Sequence, residues 1–477
     1  MYLYIYPNNG VFTVYRLAMD HLKDWRERRT RRPIVIRGAR QVGKSYLVRA
    51  FARQRFDDLL EVNFERNPGA ASLFATNEPG TICRLLEARF NVRLVPGRSL
   101  LFLDEVQAAP AVFAALRFFH EELPELHVVA AGSLLEFVLE EHSFSMPVGR
   151  IEYLHLGPMQ FEEFLMAMKR DTLVEWLATY SLGDEVPEEI HRELMRHVRT
   201  YLVIGGLPEV VDTFAAQQSL QECEIVQESV LSTYRDDFSK YAHKVKHRRV
   251  EKVFDRIPRL VGQKFMYSHV DREERSRDLA VALGLLCLAR VAHRVRHTHA
   301  NGIPLGAEAS DKDFKILFLD VGLLCRACGL HLPDVVHAQD IMPINGGAVC
   351  EQFVGQHLLH GGAFYEQPQL HCWMRPARAS NAEVDYVVSA GDLIIPVEVK
   401  AGKSGTLKSL HLFLKERKRS LGIRFNADVP SLLETRTGLA TGPNVPFQLL
   451  SLPLYLIGQW RRIISTVGCS PLDAASP

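Results

Sequence analysis

The stretch that decides the fold is "IVIRGARQVGKSYL", residues 34–47, where a β-branched run leads into a glycine-rich loop. The loop fits the pattern G-x-x-x-x-G-K-[ST], and a helical pattern follows it. Glycines let the backbone turn tightly and point several N–H groups at one anion, and the helix N-terminus adds partial positive charge. The sequence therefore predicts a cradle for the phosphates of a nucleotide. The residues of this cradle are Gly38, Ala39, Arg40, Gln41, Val42, Gly43, Lys44 and Ser45.

Individual side chains of the cradle have separate predicted roles. Lys44 is suited to the β- and γ-phosphates, and the Ser45 hydroxyl is suited to holding Mg²⁺. Arg40 could contact either a glutamate or a phosphate, and the pattern does not choose between them. The predicted ligands are therefore ATP and Mg²⁺.

A second stretch, "SLLFLDEVQ" at residues 99–107, is an apolar strand that ends in two carboxylates. The carboxyl edge of an open α/β sheet is where ligands bind. Asp104 is therefore predicted to reach Mg²⁺ through water. Glu105 is placed to polarise an attacking water molecule, which favours hydrolysis of the nucleotide over its storage.

Two further residues are candidates for contact with the γ-phosphate. Ser133 ends the strand in "VVAAGSLLEF", where it either senses the γ-phosphate or caps a helix. Arg150, in "MPVGRIEYL", either meets the γ-phosphate or is an ordinary surface arginine. The nucleotide that it meets could belong to the same chain or to a neighbouring subunit, and the second case would imply a homo-oligomer.

The amino-acid composition limits the classes of protein to which the chain can belong. The chain has 477 residues, of which 47% are hydrophobic and 24% charged, as in ordinary soluble globular proteins. The net charge of +1 provides no global basic field for nucleic acid. Eight scattered cysteines suit a reducing compartment, and no apolar run reaches the roughly 20 residues of a membrane span. We expect a cytoplasmic protein without a signal peptide or a membrane partner.

The order of apolar runs predicts an α/β protein of several domains. Five short apolar runs alternate with helical stretches between residues 33 and 157, which is typical of a parallel sheet. Helices and a strand pair follow and suggest a winged-helix-like module, and a further α/β segment comes after them. The predicted units are an unstructured extension at 1–18, with Met19 as an alternative start, a nucleotide-binding domain at 19–168, a helical and winged-helix-like region at 169–340, an α/β domain at 341–460 and a tail at 461–477.

The stretch "NAEVDYVVSAGDLIIPVEVKAGKSG", residues 381–405, predicts a β-hairpin that carries charged side chains. If Ser389 faces Asp392 across the turn, four charged residues share one face. These are Glu383, Asp385, Glu398 and Lys400. Asp385 and Glu398 are then diagonal neighbours that could share one hard cation. Lys400 could orient the water of that cation or offset charge on a phosphate. The charged rim of an ordinary hairpin would explain the same pattern.

Together, these segments resemble the bacterial and archaeal AAA-type ATPases that carry a C-terminal restriction-endonuclease-like domain of unknown function. The resemblance also rests on "YLVIGGLPEVV", "FKILFLDVGLL" and "GAVCEQFVGQHLL". It implies ATP binding by Gly38, Gly43, Lys44 and Ser45, with Asp104 and Glu105 serving Mg²⁺ and water, and Ser133 sensing the nucleotide. It also implies a PD-(D/E)XK-like core in which Glu351 joins Asp385, Glu398 and Lys400.

Three functions are compatible with these features. The first is an ATP-dependent DNA-processing enzyme with a live C-terminal site. The second is an ATP-driven switch whose C-terminal domain binds nucleic acid or protein without cutting. The third is a small-molecule kinase, for which the sequence shows no acceptor-binding motif. A basic run at 240–256, "KYAHKVKHRRVEKVFDR", is either a DNA phosphate-backbone patch or a solvated helix face.

Overall fold

A computed structural model of the chain describes residues 14–133, 149–241, 247–330, 346–375, 382–402, 406–438 and 444–467, apart from the side chains of 239–241. Its N-terminal sheet has five parallel strands in the order β2-β3-β4-β1-β5. They are β1 (Ile34–Arg37), β2 (Asp58–Asn63), β3 (Ser99–Asp104), β4 (His127–Gly132) and β5 (Glu152–His155). All five predicted strands are present, so the predicted parallel sheet is confirmed.

Helices cover both faces of this sheet, because its inner strands alternate between two apolar cores. On β3, Phe102 packs into one core, while Leu101 and Leu103 pack into the other. A parallel sheet buried on both faces requires such continuous apolar strands. The helices are α1 (Ala18–Glu27), α2 (Lys44–Arg55), α3 (Pro79–Phe90) and α4 (Pro110–Glu122).

The residues before α1 are anchored, although the sequence predicted an unstructured extension over 1–18. Arg16 is 3% exposed, and its guanidinium donates to the Glu163 carboxylate at 3.0 Å and to the Val42 carbonyl at 2.6 Å. The prediction was therefore wrong for residues 14–18, and residues 1–13 lie outside the described part. No local pattern reveals a contact between residues 147 positions apart.

A helical region connects the two sheets. Its helices are α5 (Phe161–Ala167), α6 (Asp171–Thr179), α7 (Glu188–Ile204), α8 (Pro208–Gln217), α9 (Leu220–Tyr241), α10 (His247–Arg256), α11 (Tyr267–Val270) and α12 (Ser276–Leu288). Within the described ranges, no helix combines the length and the apolar character that crossing a bilayer would require.

The strand pair of the expected winged-helix-like module is part of a larger sheet. Strands β6 (Ala292–Thr298) and β7 (Ala309–Phe318) pair antiparallel, but β6 also pairs in parallel with β8 (Leu370–Met374). The resulting sheet has eight strands in the order β12-β13-β11-β10-β9-β8-β6-β7. The strand pair is therefore not an isolated wing, and a domain boundary at residue 340 would divide one sheet.

The remaining elements complete this second sheet. They are α13 (Val321–Ala327), α14 (Gly346–His360), β9 (Glu383–Ala390), β10 (Leu393–Val399), α15 (Lys408–Arg417), β11 (Leu421–Asn426), β12 (Ser431–Arg436), β13 (Pro446–Pro453) and α16 (Trp460–Thr466). Helix α16 buries Ile463 and Ile464, so the predicted tail at 461–477 is wrong up to residue 467. Residues 468–477 lie outside the described part.

Candidate active site

The loop between β1 and α2 has the backbone shape that a phosphate cradle requires. Gly43 lies at φ +86°, in the left-handed region, immediately before the first residue of α2. A Cβ atom on Gly38 would lie 2.3 Å from the Leu156 carbonyl oxygen, so only glycine fits there. The loop therefore requires glycine at the two positions where the motif has it.

Lys44, Ser45 and Asp104 meet at the carboxyl edge of the sheet, as predicted. The Lys44 ammonium donates to the carbonyl oxygens of Gly38 and Ala39 at 3.0 and 2.8 Å. The Ser45 hydroxyl lies 3.0 and 3.1 Å from the two oxygens of the Asp104 carboxylate. This contact joins the loop to the end of β3, which is the pair of positions predicted to serve Mg²⁺.

Asp104 is held in a buried, polar setting. It is 3% exposed, and burial raises the pKa of its carboxyl group, with the charge of Glu105 adding to the effect. The Asn63 amide donates to it at 3.3 Å from the end of β2. Asn63 was not predicted, although a polar residue at the end of an apolar strand is the same signal that identified Asp104.

Glu105 and Ser133 lie beside each other, on the ends of neighbouring strands. Glu105 has φ +52°, in the left-handed region, and its carboxylate accepts from the Gln107 amide at 2.6 Å. The Ser133 hydroxyl donates to the same carboxylate at 3.4 Å. Ser133 thus contacts the residue predicted to polarise water. Its alternative role as a helix cap concerns residues that follow it, which lie outside the described part.

Arg40 connects the loop to helix α9. Its guanidinium donates to the Ser133 hydroxyl at 3.3 Å, forms an ion pair with Asp237 and lies 3.7 Å from the Glu65 carboxylate. The Tyr234 hydroxyl donates to the Arg40 carbonyl oxygen at 2.7 Å. Of the two alternatives for Arg40, this structure shows carboxylate contacts. Asp237 was not predicted, because no local signal reveals a partner 197 positions away.

Arg150 lies at the opposite edge of the sheet from the loop. It precedes β5, whose first residue Glu152 pairs with Ile34 at the start of β1, while the loop follows the end of β1. Its guanidinium forms an exposed ion pair with Glu121 at 2.8 Å. The hypothesis that Arg150 meets the γ-phosphate of its own chain is therefore wrong. A role at the nucleotide of a neighbouring subunit stays a prediction.

A chain of contacts leads from the loop to the second sheet. A Cβ atom on Gly43 would lie 3.2 Å from the ring of Pro208, in the "GGLPE" segment. In the same segment, the Gly206 N–H donates to the Asp320 carboxylate at 2.7 Å. Asp320 is fully buried and caps α13, two residues after β7. The loop and β7 are thus connected by a short path of contacts, of which the Gly206–Asp320 part is buried.

The C-terminal carboxylates surround a lysine that the sequence analysis did not single out. Lys315, on β7, is 2% exposed, and its ammonium forms ion pairs with three carboxylates. It pairs with Glu351, with Glu383 at 2.5 Å and with Asp385 at 3.4 Å. Among the described residues, these three acids form the one group of potential metal ligands whose oxygens lie within 4.8 Å of one another. A lysine inside the apolar run "FKILFLD" was the available signal.

Glu398 and Lys400 form a separate pair beside this cluster. The Lys400 ammonium donates to the Glu398 carboxylate at 2.6 Å. The other Glu398 oxygen has no partner among the described residues. Burial raises the pKa of Glu398 to about 7, with the charge of Asp385 adding to the effect. The predicted set of Glu351, Asp385, Glu398 and Lys400 therefore divides into two ion-pair groups, of which one is centred on Lys315.

Comparisons with known proteins identify the class of the N-terminal domain. Residues 30–165 match a family model described as an AAA domain. With the parallel sheet and the loop geometry, this match identifies an AAA-type P-loop domain of the ATP-binding class. Residues 195–334 and 346–433 match two models described as domains of unknown function, DUF8612 and DUF4143. A comparison with curated proteins gave no match.

A comparison with solved structures gave matches of low similarity, among them proteins of Pyrococcus abyssi and Aeropyrum pernix. The Walker-type ATPase PABY2304 of Pyrococcus abyssi is 15% identical, and the match covers 65% of this chain and 94% of that one with a TM-score of 0.41. The ORC2 protein of Aeropyrum pernix, in ADPNP–ADP complexes, is 15% identical over 59% of this chain and 88% of that one, with a TM-score of 0.34. At these TM-scores neither likeness bears on the role of this chain.

Proposed function

We propose that this protein is a Mg²⁺-dependent ATPase of the AAA type, which hydrolyses ATP to ADP and phosphate. The observation that carries the proposal is the contact between the Ser45 hydroxyl and the buried Asp104 carboxylate, directly beside the loop. Both groups are oxygen donors of the kind that Mg²⁺ prefers, so the residues fit this ion. When bound, Mg²⁺ would neutralise charge on the phosphates.

Each side chain of the site would have a separate role in hydrolysis. Lys44 would hold the β- and γ-phosphates, together with the N–H groups of the loop. Glu105 would accept a proton as water attacks the γ-phosphorus, the bond to the β-phosphate oxygen breaks and ADP leaves. Hydrogen bonds from Gln107 and Ser133 orient the Glu105 carboxylate for this task.

Hydrolysis would drive a conformational cycle on a DNA or protein client. Arg40 links the loop to α9 through Asp237, and the "GGLPE" segment links it to β7 through Asp320. Either path can transmit a change at the nucleotide to the rest of the chain. A homo-oligomer would additionally allow Arg150 to meet the nucleotide of a neighbour.

Two roles are open to the C-terminal domain. The order α14-β8-β9-β10-α15-β11, with acids on α14, β9 and β10, favours a nuclease-like core that processes DNA. The engagement of three of these acids by Lys315 favours a domain that binds a client without cutting it. Within the basic run at 240–256, Arg249 and Lys252 are paired with Glu274 and Asp271. Residues 242–246 and the side chains of 240 and 241 lie outside the described part.

ATP turnover measured with and without DNA tests these roles. We expect phosphate release without any added acceptor, which would argue against a small-molecule kinase. Stimulation by double-stranded DNA would identify DNA as the client, and an unchanged rate would favour a protein. Plasmid nicking is assayed in parallel under Mg²⁺ and Mn²⁺. Nicking by the parent but not by Asp385→Ala would establish a live nuclease site, and intact plasmid with both proteins would exclude one.

A further inference from the structure

We infer that the Lys315 ammonium takes the place of a metal ion in the C-terminal carboxylate cluster, so that the native domain needs no divalent cation there. The cluster then fastens β7 to α14 and β9 as a closed set of ion pairs. This inference goes beyond the proposed ATPase and does not rest on it, since it concerns residues of the second sheet only.

The donors and acceptors of the cluster match one to one. A lysine ammonium has three N–H donors and no acceptor. The Lys315 ammonium has three carboxylate partners, on Glu351, Glu383 and Asp385. The second oxygen of Asp385 accepts from the Val399 N–H at 2.8 Å. Both Asp385 oxygens are therefore engaged, and a metal ion would have to displace the ammonium to use the one that faces it.

Because the cluster is buried, the Lys315 ammonium and the three carboxylates each require the opposite charge of the other. An unpaired ammonium at 2% exposure would be strongly disfavoured, as would like-charged carboxylates facing one another in a site with little water. The three carboxylates, one on α14 and two on β9, supply this compensation and fix the ammonium at the centre of the group.

A strand irregularity brings an aromatic ring to the acids of this cluster. The pairing of β9 with β8 shifts between His371 and Trp373, which breaks the strict alternation of side chains along β9. Tyr386 accordingly points to the same cluster, with its ring 5.9 Å from the Lys315 ammonium and its hydroxyl donating to the Glu351 carbonyl oxygen at 2.8 Å. The bulge thus adds the Tyr386 ring to the acids that surround Lys315.

Manganese binding by nucleotide-free protein tests the inference, with electron paramagnetic resonance counting bound Mn²⁺ per chain. Parent, Asp385→Asn and Glu351→Gln should bind the same number of ions, because none is held at the cluster. Lys315→Met should bind one additional ion, and the Lys315→Met/Asp385→Asn double variant should lose it. Any Mn²⁺ ion held by Ser45 and Asp104 is bound by every variant, so it does not change the differences between the variants.

Two control variants distinguish the loss of the Lys315 charge from a folding defect. Lys315→Arg keeps the cation and should gain no Mn²⁺, and Lys264→Met removes a half-exposed neighbouring lysine that pairs with Asp313 and should also gain none. If Lys315→Met does not fold, the comparison of the parent with its two acid variants still shows whether the parent holds an ion at the cluster. One ion fewer on Asp385→Asn or Glu351→Gln than on the parent would overturn the inference, as would a folded Lys315→Met with no additional ion.

Discussion

Replacing Glu105 with glutamine should lower the rate of ATP turnover by about 10²–10⁴-fold, the range typical of a general base, while ATP still binds. Glutamine keeps the shape of the side chain and its hydrogen bonds from Gln107 and Ser133, but it cannot accept a proton from the attacking water. The loop, Lys44 and the Asp104 carboxylate are unchanged, so nucleotide affinity should be close to that of the parent.

Phosphate release under saturating Mg²⁺-ATP measures this effect, and a nucleotide-binding titration accompanies it. Glu122→Gln, an exposed change at the end of α4, is the matched control and should leave both quantities unchanged. If Glu105→Gln turned ATP over at the parent rate, another group would have to be the base. A loss of nucleotide binding in this variant would also contradict the assigned role.

The second large effect concerns Arg16, whose replacement by methionine should lower the free energy of unfolding by about 3–5 kcal/mol, as for a broken buried ion pair. The change leaves the Glu163 carboxylate, which is 1% exposed, without its charged partner. It also removes the donors to the Val42 and Gly157 carbonyl oxygens, so the phosphate loop loses a support.

Urea unfolding of Arg16→Met measures this loss, and Arg98→Met provides the control. The Arg98 and Asp57 side chains form an ion pair but are 71% and 55% exposed, so breaking it should cost less than about 1 kcal/mol. Equal effects of the two changes would show that Arg16 is not an anchor of the loop. A stable Arg16→Met with unaltered nucleotide affinity would lead to the same conclusion.

Local patterns predicted how the loop and the end of β3 come together, because these residues lie in two short, contiguous segments. Gly38, Gly43 and Lys44 follow a strand and open a helix, and Asp104 ends a neighbouring strand, so the rules of parallel sheets bring them together. The side chains that support them were not predicted. Arg16 and Asp237 reach the loop from 26 and 197 positions away, and such contacts leave no local pattern.

The C-terminal hairpin shows how a small error in register alters a site. The sequence placed Ser389 opposite Asp392, but Ala390 pairs with Leu393 around a two-residue turn with Gly391 at φ +61°. A shift of two residues between paired positions leaves the face of a side chain unchanged. The bulge in β9, however, turns Tyr386 to the side of Asp385 and leaves Val387 on the side of Val384, so these two side chains are not on their predicted faces. The same register, extended beyond Tyr386, sets Asp385 opposite Glu398 rather than diagonal to it. The bulge in β9 and the arrival of Lys315 from β7 depend on the assembled sheet.

Nucleotide binding at the loop is the central proposal, and calorimetric titration of the protein with Mg²⁺-ATP tests it. We predict a measurable heat of binding for the parent and an affinity at least about tenfold lower for Lys44→Ala, since a charge-assisted contact contributes about 1.5–3 kcal/mol. The exposed lysine variant Lys312→Ala, on β7, should bind ATP like the parent. The absence of any heat with the parent, or undiminished binding by Lys44→Ala, would contradict the account.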